Sequence, residues 1–167
     1  SNVMLELWDE SHPRWSELLT VIEEEGQTRY VTFKADFHEA SHLLVALQDG
    51  QITGFLRAVV QAIGLDMDCP PLRFKEETLT EAKILAFAVR QPFQNKGIGR
   101  ALQNEAIRLA KKWQCYQVRS HSDGHRKANH QLKLSLGFAV HPIIRGDDKK
   151  GVYFIMPLKE EKSNEKS

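Results

Sequence analysis

Apolar residues along the chain fall into short runs whose spacing switches between the two-residue period of strands and the 3.6-residue period of helices. Leu5 and Leu7 within residues 4–8 suggest a first strand. His12-Pro13 then opens a segment with Trp15, Leu18, Leu19 and Ile22 at three- and four-residue spacing, predicting a helix that Gly26 stops. Residues 28–42 carry no clear period and read as loop or short helix. The apolar runs 43–47 and 52–56 flank Asp49-Gly50, which predicts a hairpin whose second strand continues towards Ile63. Gly64, Pro70 and Pro71 break the pattern over 64–78 and predict a long loop. Residues 81–89 form the next strand. From 98 to 113, an apolar stripe of Ile98, Leu102, Ala106, Leu109 and Trp113 predicts an amphipathic helix with Gln103, Arg108 and Lys111 facing water. A strand at 116–119 and an antiparallel pair at 138–144 and 152–158 complete the pattern.

The junction between the strand 81–89 and the helix 98–113 carries the most chemistry. Its residues are Gln94-Asn95-Lys96-Gly97-Ile98-Gly99. A helix that starts here leaves its first N–H groups unpaired at the positive end of its dipole. Glycines let an anion come close to the main chain, and Lys96 and Arg100 add charge at the rim. The pattern predicts a phosphate or pyrophosphate pocket. It is not a Walker loop, because Arg100 and Ala101 follow Gly99 where Lys and Ser or Thr are needed. It is not a dinucleotide fingerprint, because Leu102 stands where a small residue is required. Glycines at turns and helix starts also serve purely structural ends, so the spacing alone leaves that reading open.

Gln94-x-x-Gly97-x-Gly99 resembles motif A of the GNAT acetyltransferases, and residues 126–138, Arg-Lys-Ala-Asn-His-Gln-Leu-Lys-Leu-Ser-Leu-Gly-Phe, resemble motif B, which implies a short helix closing on Leu136-Gly137-Phe138. The resemblance covers roughly residues 3–158. It implies an α/β (α+β) fold of the GNAT type: one domain over 3–158 with a mixed central sheet of about seven strands flanked by helices, followed by a loose polar tail at 159–167. It further implies acetyl-CoA as co-substrate, in a gap between the strand ending at Val89 and the one beginning near Tyr116. Phe87, Ala88 and Val89 would meet the pantetheine arm, with Val89 at the family's strand bulge. Gln94, Asn95, Lys96, Gly97, Ile98, Gly99 and Arg100 would hold the pyrophosphate. The implied reaction is direct attack of a primary amine on the thioester, with the main-chain N–H of Val89 polarising its carbonyl.

Two positions depart from the family's pattern. Its glutamate base falls on Lys83; Glu81, one pleat repeat away on the same strand face, is the candidate that could act through a water, or else an exposed carboxylate at a strand start. Its tyrosine acid falls on Lys133. That lysine could stabilise the departing thiolate, or donate a proton if its neighbours lower its pKa; otherwise it is a solvated lysine on a helix face. Asn129, one helical turn earlier, stands where the family sets a polar group against the cofactor arm. These departures keep a second function open, a non-catalytic acyl-CoA-binding sensor or interaction module on the same fold.

Composition narrows the rest. With 167 residues the chain is sized for one domain that buries about 70% of its unfolded surface. Lys and Arg total 23 against 22 Asp and Glu, so net charge implies neither nucleic acid nor an anionic membrane as partner. Cys69 and Cys115 lack metal spacing, no apolar run nears the ~18 residues of a membrane span, and no signal peptide precedes the first element. A cytoplasmic chain is expected. A homodimer is admitted only as the commonest soluble assembly. His38-Glu39-Ala40-Ser41-His42 matches H-E-x-x-H, yet His42 runs straight into the apolar hairpin strand, so no zinc is expected. His121-Ser122-Asp123 cannot form a triad, because neighbours on a strand point to opposite faces; His121 or Asp123 remains a candidate for touching the acceptor. Asp36, Glu39, Asp66, Asp68, Glu76 and Glu77 border the acceptor side by family analogy and would suit a small cationic amine, though acidic loops are usually just solvated.

Overall fold

The computed structural model describes residues 2–123, 127–144 and 150–158. In chain order the elements are β1 (Met4–Trp8), α1 (Trp15–Glu24), α2 (Thr28–Thr32), β2 (Ala40–Gln48), β3 (Gln51–Ala62), β4 (Arg73–Phe74), β5 (Glu77–Thr78), β6 (Thr80–Val89), α3 (Ile98–Lys112), β7 (Gln117–Asp123), α4 (Lys127–Ser135), β8 (Ala139–Ile144) and β9 (Lys150–Pro157). Seven strands form one mixed sheet in the order β1-β2-β3-β6-β7-β9-β8, in which only β6 and β7 run parallel. This is the mixed, helix-flanked sheet expected from the sequence.

The hairpin at Asp49-Gly50 explains the register of the first half. Both residues have positive φ, 52° and 78°, which turns β2 tightly onto β3. Alternation along these strands then divides the core. Leu44, Ala46, Leu56 and Ala58 face α3, whose Ile98, Leu102 and Ala106 pack against them. Val45, Leu47 and Phe55 face the other way, under Leu18, Val21 and Ile22 of α1.

Several elements differ from the sequence expectation. The segment 28–42 holds a five-residue helix and the start of β2, which begins at Ala40. The predicted loop at 64–78 contains a 3-10 turn, Leu65–Met67, and the small hairpin β4–β5. Gln103, expected in water, is fully buried on α3, and neither polar atom of its amide has a protein partner. No helix among the described residues is long and apolar enough to cross a membrane.

The largest correction concerns Glu81, which is 0% exposed rather than a solvated strand-start carboxylate. Its Oε1 accepts from Gln117 Nε2 at 2.9 Å and Arg119 Nε at 3.0 Å, and its Oε2 from Gln61 Nε2 at 3.0 Å and Arg119 Nη2 at 2.7 Å. Arg119 also reaches Asp66, which Lys83 holds at 2.7 Å. The network ties the 64–78 segment to the sheet. Burial alone would raise the Asp66 pKa, but the hydrogen bonds from Lys83 and Arg119 outweigh it and hold the carboxyl at about 2.

Two outcomes follow for stability. Arg119→Met strands a buried carboxylate and should lower the unfolding free energy by about 3–5 kcal/mol in urea titrations, with part regained in the Glu81→Leu/Arg119→Met double variant. Asp66 has a depressed pKa in the fold, so its contribution is present above its ordinary value of 3.8 and is lost as pH falls towards about 2. Across that window Asp66→Asn should show a flatter decline in urea midpoint than the wild-type chain.

Candidate active site

β6 and β7 pair only from Glu81↔Gln117 to Ile84↔Ser120, and then part. Beyond that point β6 stays with β3 as far as Gly54↔Val89, while β7 stays with β9. The cause lies in the β3–β6 ladder, where Arg57 faces Ala86 and Ala58 faces Ile84, leaving Leu85 as an extra residue. Such a bulge bends its strand and sharpens the local twist. The bulge therefore sits at Leu85, not at Val89 as the family resemblance implied. Val89 keeps a useful orientation all the same. The Arg90 N–H donates to the Thr53 carbonyl at 2.9 Å, so by ladder alternation the N–H groups of Val89 and Phe87 point away from β3, into the gap.

The tip of α3 closes one end of this gap. Ala101 N–H makes the first helical bond, to the Gly97 carbonyl, so the N–H groups of Ile98, Gly99 and Arg100 have no partner within the helix. Gly97 has φ +86°, and a Cβ there would meet nothing within 4 Å, so the turn itself demands glycine. Gly99 has a different reason. A Cβ would lie 3.2 Å from Phe87 and 3.3 Å from Leu132, so glycine lets the helix tip seat between β6 and α4. Gln94 Nε2 donates to the Val89 carbonyl at 2.9 Å and pins the connecting loop.

Between these elements lies a cavity of about 830 Å³. Of the residues expected at a cofactor site, Phe87, Ala88, Val89, Gln94, Asn95, Gly97, Gly99, Arg100 and Asn129 line it. Lys96 does not; its Nζ lies 6.0 Å from the Phe93 ring centroid. Ile98 sends its side chain into the core, leaving only its N–H to the pocket. Arg100 reaches across to Ser135 Oγ at 2.9 Å. Asn129 Oδ1 is enclosed in this wall without a hydrogen-bond partner, an acceptor suited to an amide N–H of a bound chain. Lys127, Gln131 and Leu132 of α4, with Glu25 and Gln27 after α1, were not foreseen. Their register depends on how α4 is laid across the gap, which no local pattern encodes.

Lys133 is not a solvated helix lysine. It is 1% exposed, its Nζ donates to Ser120 Oγ at 2.7 Å, and it lies 5.1 Å from the Phe154 ring centroid. Ser120 is the last residue of β7 to pair with β6, so this ammonium stands at the apex of the gap, outside the cavity wall. One turn earlier, His130 Nε2 meets Ser122 Oγ at 3.1 Å. Glu81 lies eight residues back along β6 from Val89, roughly 25 Å at strand rise, and both its oxygens are occupied.

The opposite face of β6 carries a second, smaller cavity of about 330 Å³, lined by Arg29, Tyr30, Thr32, Phe33 and Leu85. Arg57 of β3 stands behind it, donating through Nη1 to the Tyr30 carbonyl at 2.9 Å and through Nε to Ser41 Oγ at 2.9 Å. His38 packs edge-on against Phe33 and Phe37, and burial, then the charges of Arg57 and Lys83, push its pKa down. His42, from the same H-E-x-x-H match, instead stacks on Trp113 at 4.0 Å. It belongs to β2, so the two imidazoles share no helical face. His121 turns to Tyr153 while Ser122 turns to α4, the opposite faces expected of neighbours on a strand. The side chain of Asp123 lies outside the described residues.

Comparison with known proteins places this geometry. The chain's fold matches NAA60 of Arabidopsis thaliana in complex with acetyl-CoA (TM-score 0.70, 16% identity, over 94% of this chain and 100% of that one). It also matches the ribosomal-protein-S18-alanine N-acetyltransferase of Escherichia coli (TM-score 0.63, 17% identity, 99% and 100%). A GNAT family acetyltransferase from Elizabethkingia anophelis with acetyl-CoA bound gives a TM-score of 0.60 at 20% identity, over 94% and 99%. At such identities the likeness is one of fold. No curated protein matches the sequence. The model of the acetyltransferase (GNAT) family, however, matches residues 2–138, and the chain belongs to that family.

Proposed function

We propose that the chain transfers an acetyl group from acetyl-CoA to a primary amine. One observation carries this reading: the parted strands leave main-chain N–H groups and the open tip of α3 around a single cavity. Fold relatives from Arabidopsis thaliana and Elizabethkingia anophelis are described with acetyl-CoA, which supports the choice of donor.

The residues divide the work by position. The α3 tip, with Arg100, holds the pyrophosphate through N–H groups and positive charge. Asn129 Oδ1 accepts from the pantetheine arm. The Val89 N–H donates to the thioester oxygen, where negative charge grows as the amine attacks. The amine nitrogen forms the C–N bond, the C–S bond breaks, and the thiolate leaves with its electron pair. Lys133 stabilises that thiolate from the apex of the gap. Water accepts the amine proton, since Glu81 is committed to Arg119 and Lys83 to Asp66.

The loss of a carboxylate base on β6 favours one rival, an acyl-CoA-binding module without turnover. Thiol release from acetyl-CoA across an amine panel separates the two. Donor binding with no turnover for any amine would establish the module.

Two variants test the roles. Gly97→Asn and Gly97→Asp both enter the left-handed region with similar shapes, so they differ at the pocket chiefly in charge. Calorimetric titration with acetyl-CoA should show the Asp variant about tenfold weaker than the Asn variant, because its carboxylate faces the pyrophosphate. Equal affinities would remove the pyrophosphate from the α3 tip. Lys133→Met, chosen to keep the buried volume, should lower the turnover number by roughly ten- to a hundredfold and change the Michaelis constant for acetyl-CoA less. Wild-type turnover would leave Lys133 a packing residue.

A further inference from the structure

The face of the sheet opposite α3 and α4 has an unusual balance of buried charge. Buried Arg57 and Arg119 and partly covered Lys83 supply three cations there, against two carboxylates, partly covered Asp66 and buried Glu81. Both carboxylates are spent on Lys83 and Arg119. Arg57 is 3% exposed, and its two partners, Ser41 Oγ and the Tyr30 carbonyl, are uncharged. Among the described residues no carboxylate pairs with it. Burial lowers its pKa, and its charge helps to depress that of His38, so the local field is positive. A buried cation without an anion is costly, and a ligand anion is the natural complement.

The smaller cavity lies beside this charge. Arg57 holds the Tyr30 carbonyl in its wall, and Leu85, the bulge residue facing Arg57 and Ala58, forms its floor. Tyr30, Phe33 and Leu85 make most of the lining apolar or aromatic, and Arg29 adds a second cation 5.5 Å from the Tyr30 ring centroid. Leu85 is also the first residue of β6 beyond its pairing with β7, so the cavity adjoins the apex of the donor gap, on the other face of the sheet.

We propose that this cavity is the acceptor subsite and that it selects a primary amine bearing a carboxylate, of the α-amino acid kind with an apolar or aromatic side chain. The assignment rests on the acetyl transfer proposed above. The side chain packs on Tyr30, Phe33 and Leu85, the carboxylate turns to the Arg57 and Arg29 charge, and the amine is left directed at the gap. A cationic polyamine meets the opposite condition. Of the six acidic residues that argued for one from the sequence, Asp66 is already neutralised by Lys83 and Arg119. A peptide N-terminus offers an amide where the free amino acid offers a carboxylate.

The test is a matched panel with saturating acetyl-CoA: leucine, methionine, phenylalanine and tyrosine, each beside its amide and its decarboxylated amine, with spermidine as the cationic arm. For at least one set, kcat/KM for the free acid should exceed that of its amide and its decarboxylated amine by about 10- to 100-fold, the range for a hydrogen bond to a charged group. Arg57→Met should abolish that preference while leaving the acetyl-CoA affinity unchanged, and Arg57→Lys should keep part of it. If Arg57→Met does not fold, Arg29→Met at the exposed rim should reduce the preference. Turnover of amides, amines or spermidine at rates equal to or above the free acids would overturn the carboxylate subsite but leave acetyl transfer standing. Acetyl-CoA binding without turnover of any member would overturn both.

Discussion

The site depends on one mismatch in the β3–β6 ladder, the extra residue Leu85 where the pairing is otherwise regular. β6 is asked to follow β3 on one edge and β7 on the other, and a strand that bulges against one neighbour cannot keep register with both. It keeps β3. Everything functional is arranged around the resulting gap: N–H groups of Phe87 and Val89 along one bank, the α3 tip at one end, Lys133 at the apex, and the smaller cavity beside the bulge itself. The gap costs β6 the backbone hydrogen bonds it would have made to β7, and a donor lying along the open edge would replace some of them.

A second constraint keeps the α3 tip in place. Leu102, fully buried, occupies the position that disqualifies a dinucleotide fold, and the sheet accommodates it by having no side chain beneath. A Cβ on Gly54 would lie 3.3 Å from Leu102 Cδ1 and 2.7 Å from the Ala88 carbonyl. The small residue that close helix-to-strand packing requires has thus moved from the helix to the strand. Gly99 does the same for α4 one turn earlier. Together they bring the helix dipole against the end of β6, where an anion can use it.

Local chemistry explains what was legible in the sequence. Asp49-Gly50 and Gln94-x-x-Gly97-x-Gly99 each encode a turn through backbone geometry that few residues tolerate, so a short window suffices to find them. α1 and α3 were readable from spacing. What was not readable was partnership across the sheet. Glu81 looks like a strand-start carboxylate until Arg119, 38 residues later, is laid beside it, and Lys133 looks solvated until Ser120 and Phe154 close over it. Gln103 follows the same rule, since the residues that bury it come from elsewhere. The bulge was misplaced for a related reason: it is a property of the pairing between Arg57–Ala58 and Ile84–Ala86, and neither segment alone carries a mark of it. The cavity under α2 was missed because residues 28–33 have no period at all.

The strand order has a bearing on how the two banks of the gap are held. β9 lies inside the sheet between β7 and β8, and Leu158 N–H reaches back to the Tyr116 carbonyl. β7 meets β6 over only four residue pairs, whereas it stays with β9 from Gln117↔Pro157 to Asp123↔Gly151. The bank that carries Ser120 and supports Lys133 therefore draws most of its main-chain support from β9, so the far wall of the donor cleft is held by a strand that does not itself line it.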